Sequence, residues 1–419
     1  MLDLKLIRSD RDAVERAMAR RDAVGELNEL CDLDERARAL RAEVEATRAE
    51  RTRISKEVGR RRREGADTSA DEARARDLGE RLTREEDELR ALEAERDALL
   101  LGLPNIAEDG APAGGEDDAV ELRQVGTRPA LAAPRDHVDL ATAAGALDLE
   151  AAARVSGARF AYLKGPLVRL QFALVGLALD ALEEAGFTPV IPPVLVREEA
   201  MWGTGFFPTD RSSIYRTAED DLFLVGTSEV PLAGLHGDSI LAEDDLPLRY
   251  GGVSTCFRRE AGAAGKDTRG IFRVHQFDKV EMFSFVLPED SAAEHQRILG
   301  VQEAILQAIE VPYRVVDIAI GDLGASAARK FDCEAWMPAQ ERYREVTSCS
   351  NCTDYQARRL RCRVKRAGAT QPVHTLNGTA VAVGRTIIAI LENHQREDGT
   401  VAIPAALRAH GAPPEISPR

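Results

Sequence analysis

Between Phe257 and Phe283 the chain reads FRREAGAAGKDTRGIFRVHQFDKVEMF. Arg258 and Glu260 stand two residues apart in its first run, and Phe277, Lys279 and Glu281 repeat that spacing in its second. A strand turns successive side chains to opposite faces, so each set shares a face if the runs are the strands of a long hairpin. Such a face suits a nucleotide: Arg for phosphate, Phe for base stacking, a carboxylate for an amine. An ordinary salt-bridge ladder uses the same residues. The glycines and Lys266 also look like a phosphate cradle, but a P-loop needs four residues between its glycines and then Lys-Ser/Thr. Here two residues separate Gly262 from Gly265, Asp267 follows Lys266, and a strand-like run stands where a helix is required. The cradle is therefore rejected in favour of a hairpin.

Other stretches carry chemistry less openly. GTSEV lacks the Gly-x-Ser-x-Gly elbow of a serine hydrolase. Its Thr227 and Glu229 read as side chains of a strand end, well placed for a ligand amine. Asn377 to Thr386 (NGTAVAVGRT) reads as a Gly-rich turn entering a helix. Arg385 then lies one turn inside and points to phosphate, or the stretch is a plain helix N-terminus. SCSNC holds one Cys-x-x-Cys, with Cys333 and Cys362 outside knuckle spacing, so buried thiols are expected rather than zinc. The seven histidines form no paired ligand motif, and His236 and His275 read as packing or hydrogen-bonding residues.

These residues need elements to hold them. The 419 residues suffice for a large catalytic domain and one smaller module. Leu30, Leu33, Ala37, Leu40, Val44, Ile54 and Val58 form one narrow apolar seam, and Leu78, Leu82, Leu89, Leu92 and Leu99 a second. Spacings of three and four predict a long antiparallel helical hairpin that reverses near Gly65 and stops at Pro104. Near its tip, Arg51 to Arg63 holds seven basic residues and one acid, either a solvated face or a phosphate-binding tip. Gly, Pro and acid dominate 105–134, which reads as a linker containing a strand-like ELRQVG. From 135 to 419, the apolar helix Leu167 to Gly186 and many short β-rich runs predict an antiparallel sheet with helices packed on it.

A net charge of −15 argues against indiscriminate nucleic-acid binding. No apolar run is long enough to span a membrane. The opening MLDLKLIRSDRDAVERAM has early acids and no apolar core, so a cytoplasmic protein without a signal peptide is expected.

FRRE, its charged loop and RVHQFDKVE resemble motif two of the class II aminoacyl-tRNA synthetases. Asn377 to Arg385 with its helix resembles motif three. The helix ending in Gly186 with TPVIPP resembles motif one. With the hairpin, VSGARFAYLKG (Val155 to Gly165), GTSE, SCSN and DYQARR, the chain is similar over nearly its whole length to the seryl-tRNA synthetase family. The resemblance implies an α+β fold: a long helical arm (1–104), a linker (105–134) and a class II catalytic domain with a central antiparallel sheet flanked by helices (135–419).

It also implies a serine–tRNA ligase that forms seryl-adenylate from serine and ATP. The acyl group then passes to tRNA(Ser) and in some members to tRNA(Sec). ATP would meet Arg258, Arg259, Glu260, Arg273, Val274, Phe277, Glu345, Val346, Thr347, Ser348 and Arg385. Among these, Arg258 would hold the α-phosphate and Arg273 the far phosphates, with Phe277 and Arg385 on the two faces of the adenine. Arg258, Glu260 and Arg385 would be catalytic. Thr227, Ser228, Glu229, Arg258, Glu281, Asn377 and Thr379 would take serine. Mg2+ would sit on Glu345 and Ser348, with no zinc. The tip residues Arg51, Arg53, Lys56, Arg60, Arg61, Arg62 and Arg63 would meet the variable arm of the tRNA, and 262–266 its acceptor end. Motif one would build a homodimer. Thr347, Thr379 and Ala380 depart from the commoner family residues, though both threonines keep a hydroxyl. The alternative is a synthetase-like paralogue, either a resistance copy or an amino-acid activator for a carrier protein.

Overall fold

The computed structural model describes residues 1–261, 265 and 267–419. Gly262 and Lys266, weighed above as a cradle and as a loop meeting the acceptor end, lie outside the described residues. The chain forms two compact units, Leu2–Leu103 and Pro104–Arg419 together with Met1.

The smaller unit is built on two long helices, Val24–Arg63 and Ser69–Gly102. Gly65, at φ +74°, turns the chain between them, a left-handed conformation that glycine adopts without Cβ strain. Leu33, Ala37 and Leu92 are buried in the seam, with Leu40, Leu89 and Leu99 packed on them. Outside that stripe the helices are joined by exposed ion pairs, including Arg48–Glu86 at 2.6 Å and Arg74–Glu50 at 2.5 Å. Such pairs contribute about 0–1 kcal/mol each, so the apolar seam does most of the holding.

The larger unit is organised on an eight-stranded sheet, its strands numbered here in chain order. They are β1 (Val120–Val125), β2 (Thr188–Val190), β3 (Leu248–Phe257), β4 (Gln276–Val286), β5 (Tyr313–Asp317), β6 (Arg329–Met337), β7 (Arg342–Asn351) and β8 (His374–Ala382). The spatial order is β1-β5-β6-β7-β8-β4-β3-β2. Every neighbouring pair is antiparallel except β2 on β3. ELRQVG, expected inside a linker, is thus largely β1, the edge strand, paired with β5.

Helices Pro166–Glu184, Ser291–Ala308 and Val383–Asn393 share one apolar core with the sheet. The first shows why a helix forms and where it stops. Pro166 is its first residue, where a missing N–H costs nothing. Leu167, Leu170, Leu174, Ala178 and Leu182 bury one stripe at helical spacing. Gly186, at φ +83°, ends it. Its far side leaves Phe172 at 65% exposure.

FTPVIPPVLV forms two short strands, β2 and Leu195–Val196. Pro192 and Pro193 lie between them and have no N–H to donate to a ladder. NGTAVAV is not a Gly-rich turn: Asn377 to Ala382 lie within β8, and the helix begins at Val383. Gly378 is required there by closeness, since a Cβ would collide with Ile298 and Cys349. Glu229 is not on a strand end but is the first residue of helix Glu229–Gly234, after the N-cap Ser228.

Candidate active site

One cavity, about 1240 Å³ including its open mouth, lies on a sheet face to which β4, β6, β7 and β8 contribute side chains. Phe277, Lys279 and Glu281 all line it, as strand alternation in β4 requires. Arg258 and Glu260 line it for another reason. β3 ends at Phe257, and Glu260 stands at φ +51°. A backbone reversal, not pleat, brings Glu260 back to Arg258. The Arg258 N–H donates to the His275 carbonyl at 2.9 Å, which holds the two flanks together.

A bulge does similar work in β7. Glu345 and Ser348 are three apart and would face opposite sides of a regular strand. The ladder with β6 slips between Cys333 and Glu334, pairing them with Thr347 and Glu345 and leaving Val346 as the extra residue. Both Glu345 and Ser348 therefore line the cavity.

At one end the cavity is small and acidic. Lys279 Nζ is ion-paired with Glu281 and donates to Thr227 Oγ1 at 2.7 Å. Thr379 Oγ1 donates to Glu281 Oε2 at 3.3 Å. Glu229 Oε1 accepts from Gln356 Nε2 at 2.7 Å and from Asn377 Nδ2 at 3.1 Å. Burial, and then the nearby Glu281, push the Glu229 carboxyl up to about 7. The end thus offers two carboxylates, two hydroxyls and two amides, a set matched to an ammonium beside a hydroxyl.

The other end is cationic and aromatic. The Arg258 guanidinium lies 5.3 Å from the Phe277 ring centre. Arg385 lies 4.8 Å from Phe272 and pairs with Glu345 at 3.1 Å. Arg344 covers Phe272 at 3.9 Å. Arg273 Nη1 donates to Glu260 Oε2 at 2.7 Å, while its buried Nε has no hydrogen-bond partner among the described residues. Burial alone would raise the Glu345 carboxyl; Arg385, then Lys330 and Arg258, outweigh it and hold Glu345 below the usual range. Asp332 is pushed well up by burial, against the pull of Lys330. Cations around an aromatic slot suit a polyphosphate on a base.

Of the residues named from sequence, Thr227, Glu229, Arg258, Glu260, Arg273, Val274, Phe277, Glu281, Glu345, Val346, Ser348, Asn377, Thr379 and Arg385 line this cavity. Ser228, Arg259 and Thr347 are not on its wall. Ser228 and Thr347 are buried, and Arg259 is exposed with its N–H on the Ser213 carbonyl. Arg385, expected opposite Phe277, lies on Phe272 instead. Lys330, Phe272 and Gln356 were missed as site residues, while Lys279, placed from the sequence on one face with Phe277 and Glu281, was given no role of its own. Lys330 and Asp332 show the same alternation, with Asp332 directly across from Ser348. Cys352, part of the Cys-x-x-Cys, lies buried 3.5 Å from the Asn377 amide.

The hairpin tip is a second candidate surface. Arg60 pairs with Glu57 and Glu64, Arg61 with Asp71 at 2.5 Å and Arg62 with Glu72 at 2.6 Å. Arg51, Arg53, Lys56 and Arg63 have no ion pair within 4 Å among the described residues. They are the cations open to an outside anion.

Comparisons with known proteins agree with this geometry. Residues 1–107 match the seryl-tRNA synthetase N-terminal domain, and residues 212–394 match the tRNA synthetase class II core domain (G, H, P, S and T). The serine–tRNA ligase of Acidothermus cellulolyticus is 51% identical over 420 residues, covering 97% of each chain. That of Mycobacterium avium is 52% identical, covering 97% of this chain and 96% of its own. The seryl-tRNA synthetase of Pyrococcus horikoshii, solved with ATP, superposes with a TM-score of 0.95 at 44% identity over the whole of both chains. The cytoplasmic enzyme of Naegleria fowleri, solved with AMP, gives 0.90 at 33% identity, covering all of this chain and 99% of its own.

Proposed function

The chain belongs to the seryl-tRNA synthetase family of class II aminoacyl-tRNA synthetases, and from that premise we propose how its cavity works. The reaction is ATP-dependent serine–tRNA ligation: serine and ATP give seryl-adenylate and diphosphate, and serine then passes to the 3′ end of tRNA. One observation carries the assignment of parts: a compact acidic end and a cationic, aromatic end share one cavity, with Arg258 between them.

Attack of a carboxylate on the α-phosphorus needs no protein nucleophile. It needs two anions held close and in line. Arg258 is placed to bridge the serine carboxylate and the α-phosphate. Phe277 offers a face to the adenine, as Phe272 does beneath Arg385. Arg273, with its unsatisfied Nε, is placed for the outer phosphates, and Glu260 holds it there. Arg385 would contact ATP once its pairing with Glu345 is shared with the phosphates.

Thr227, Glu229 and Glu281 take the serine ammonium and hydroxyl, with Asn377 and Thr379 closing the pocket. Such a site rejects alanine because its buried polar groups would be left unpaired, by roughly 10⁴-fold. Threonine is excluded by the closeness of the walls. Ser228, Arg259 and Thr347 act through backbone or packing.

Mg2+ fits the remaining donors. Glu345 and Ser348 offer two hard oxygens on the cavity wall, few enough that phosphates and water complete the shell. Bound there, the ion would neutralise phosphate charge. Glu345 and Ser348, brought to one wall by the β7 bulge, would hold it.

The open cations of the tip, Arg51, Arg53, Lys56 and Arg63, would read the backbone of the tRNA variable arm, with Arg60, Arg61 and Arg62 contributing once released from their acids. Phe172, on the motif-one helix, and Ile191, 89% exposed just beyond it, support a homodimer that covers both. tRNA(Sec) would be charged by the same chemistry. No described helix is long and apolar enough to cross a membrane, and the enzyme would act in the cytoplasm. The domain limits proposed are an arm (1–104), a linker (105–134) and a catalytic domain (135–419), the linker packing in one compact unit with the catalytic domain. Serine-dependent exchange between diphosphate and ATP tests the reading. Exchange with serine, absent with alanine, is expected; no exchange with serine would refute it.

A further inference from the structure

The acidic end of the cavity holds two carboxylates and one ammonium. Lys279 is committed twice, to Glu281 and to Thr227 Oγ1 at 2.7 Å. Glu229, only 8% exposed, has no cation within 4 Å among the described residues. Its Oε1 takes two neutral donors, Gln356 Nε2 and Asn377 Nδ2.

The groups facing Glu229 can be named from every side. β4 presents Lys279 and Glu281. Arg258 approaches from the end of β3, but its Nε donates to the Gly226 carbonyl and its guanidinium lies over Phe277. Helix Tyr355–Leu360 presents the Gln356 amide and β8 the Asn377 amide, and beyond β7 lies the thiol of Cys352. A buried carboxylate in that company lacks its own counter-ion. Burial at such a site disfavours the charged form, and an entering ammonium reverses the balance.

We propose that Glu229 is a proton-exchanging counter-ion for the amino acid: it carries a proton in the free protein and releases it to solvent when the serine ammonium enters, while Lys279 stays on Glu281 and Thr227. The step balances: one carboxyl and one ammonium become an ion pair and a solvent proton. It rests on the serine reading above. The linkage has a definite sign. Glu229 titrates at about 7 in the free protein, and a bound ammonium lowers that value. Serine binding is therefore full above about pH 8 and weakens as the pH falls, by about tenfold between pH 8 and pH 6.

Calorimetry of L-serine binding to the full chain tests this, in phosphate, HEPES and Tris buffers that differ in ionisation enthalpy. At pH 7 a release of roughly half a proton is expected, falling towards zero as the pH rises to 8. L-glycerate, which replaces the ammonium of L-serine with a hydroxyl, is expected to release none. Glu229→Gln is expected to bind serine more weakly, with no proton release and a flat pH profile from 6 to 8. Should that variant fold poorly, the wild-type titration still decides. Serine binding with no buffer dependence would overturn the proposal alone and would mean that Glu229 is already ionised in the free protein. Absence of serine binding would overturn the functional reading, and this inference with it.

Discussion

The hairpin and the cavity are both rich in Arg and Glu, yet the residues behave differently in each. On the hairpin they pair in water. Arg62 and Glu72 lie 2.6 Å apart with the Arg side chain 70% exposed, where screening and side-chain entropy leave little net energy. In the cavity the same residue types are half-buried or buried and share partners, and Glu281 helps to raise the Glu229 carboxyl. Composition is therefore a poor guide to function here, and depth is a better one. On the proposed reading, Arg on the hairpin would supply reach and a field for an outside anion, and Arg in the cavity would be positioned for bond making.

The sharpest way to break that contrast is Glu281→Ala. It removes the partner of Lys279 and the acceptor of Thr379. Two charge-assisted bonds at about 1.5–3 kcal/mol each predict a loss of roughly 10²–10⁴-fold in serine-dependent diphosphate exchange. Circular dichroism is expected to stay native, and exchange at the wild-type rate would refute the pocket. At the opposite extreme, Arg62→Ala should shift stability by no more than about 0.5 kcal/mol in thermal unfolding. A shift above about 2 kcal/mol would mean that the hairpin relies on its ion pairs as the cavity does.

Sequence periodicity revealed one kind of information well. The seam residues Leu33, Ala37 and Leu92 and the stripe Leu167 to Leu182 follow from helical spacing, and Phe277, Lys279 and Glu281 from strand alternation. Two kinds of geometry were not legible. Glu345 and Ser348 share the cavity only through a bulge, which period two cannot foresee; the family resemblance alone brought them together. Glu260 reaches the cavity through a left-handed residue after the strand ends, so its spacing from Arg258 predicted the right neighbour for the wrong reason. Pairing at the tip was hidden too, because Asp71 and Glu72 approach Arg61 and Arg62 only across the chain reversal.

The division of labour between the two regions is tested most directly by reversing three of the four open charges of the tip together, Arg53→Glu, Lys56→Glu and Arg63→Glu, and measuring both half-reactions in the full chain. The account predicts diphosphate exchange within about twofold of wild type and a raised KM for tRNA, with the salt slope of charging reduced by roughly 2–3. Exchange falling in step with charging, or charging left unchanged, would contradict it.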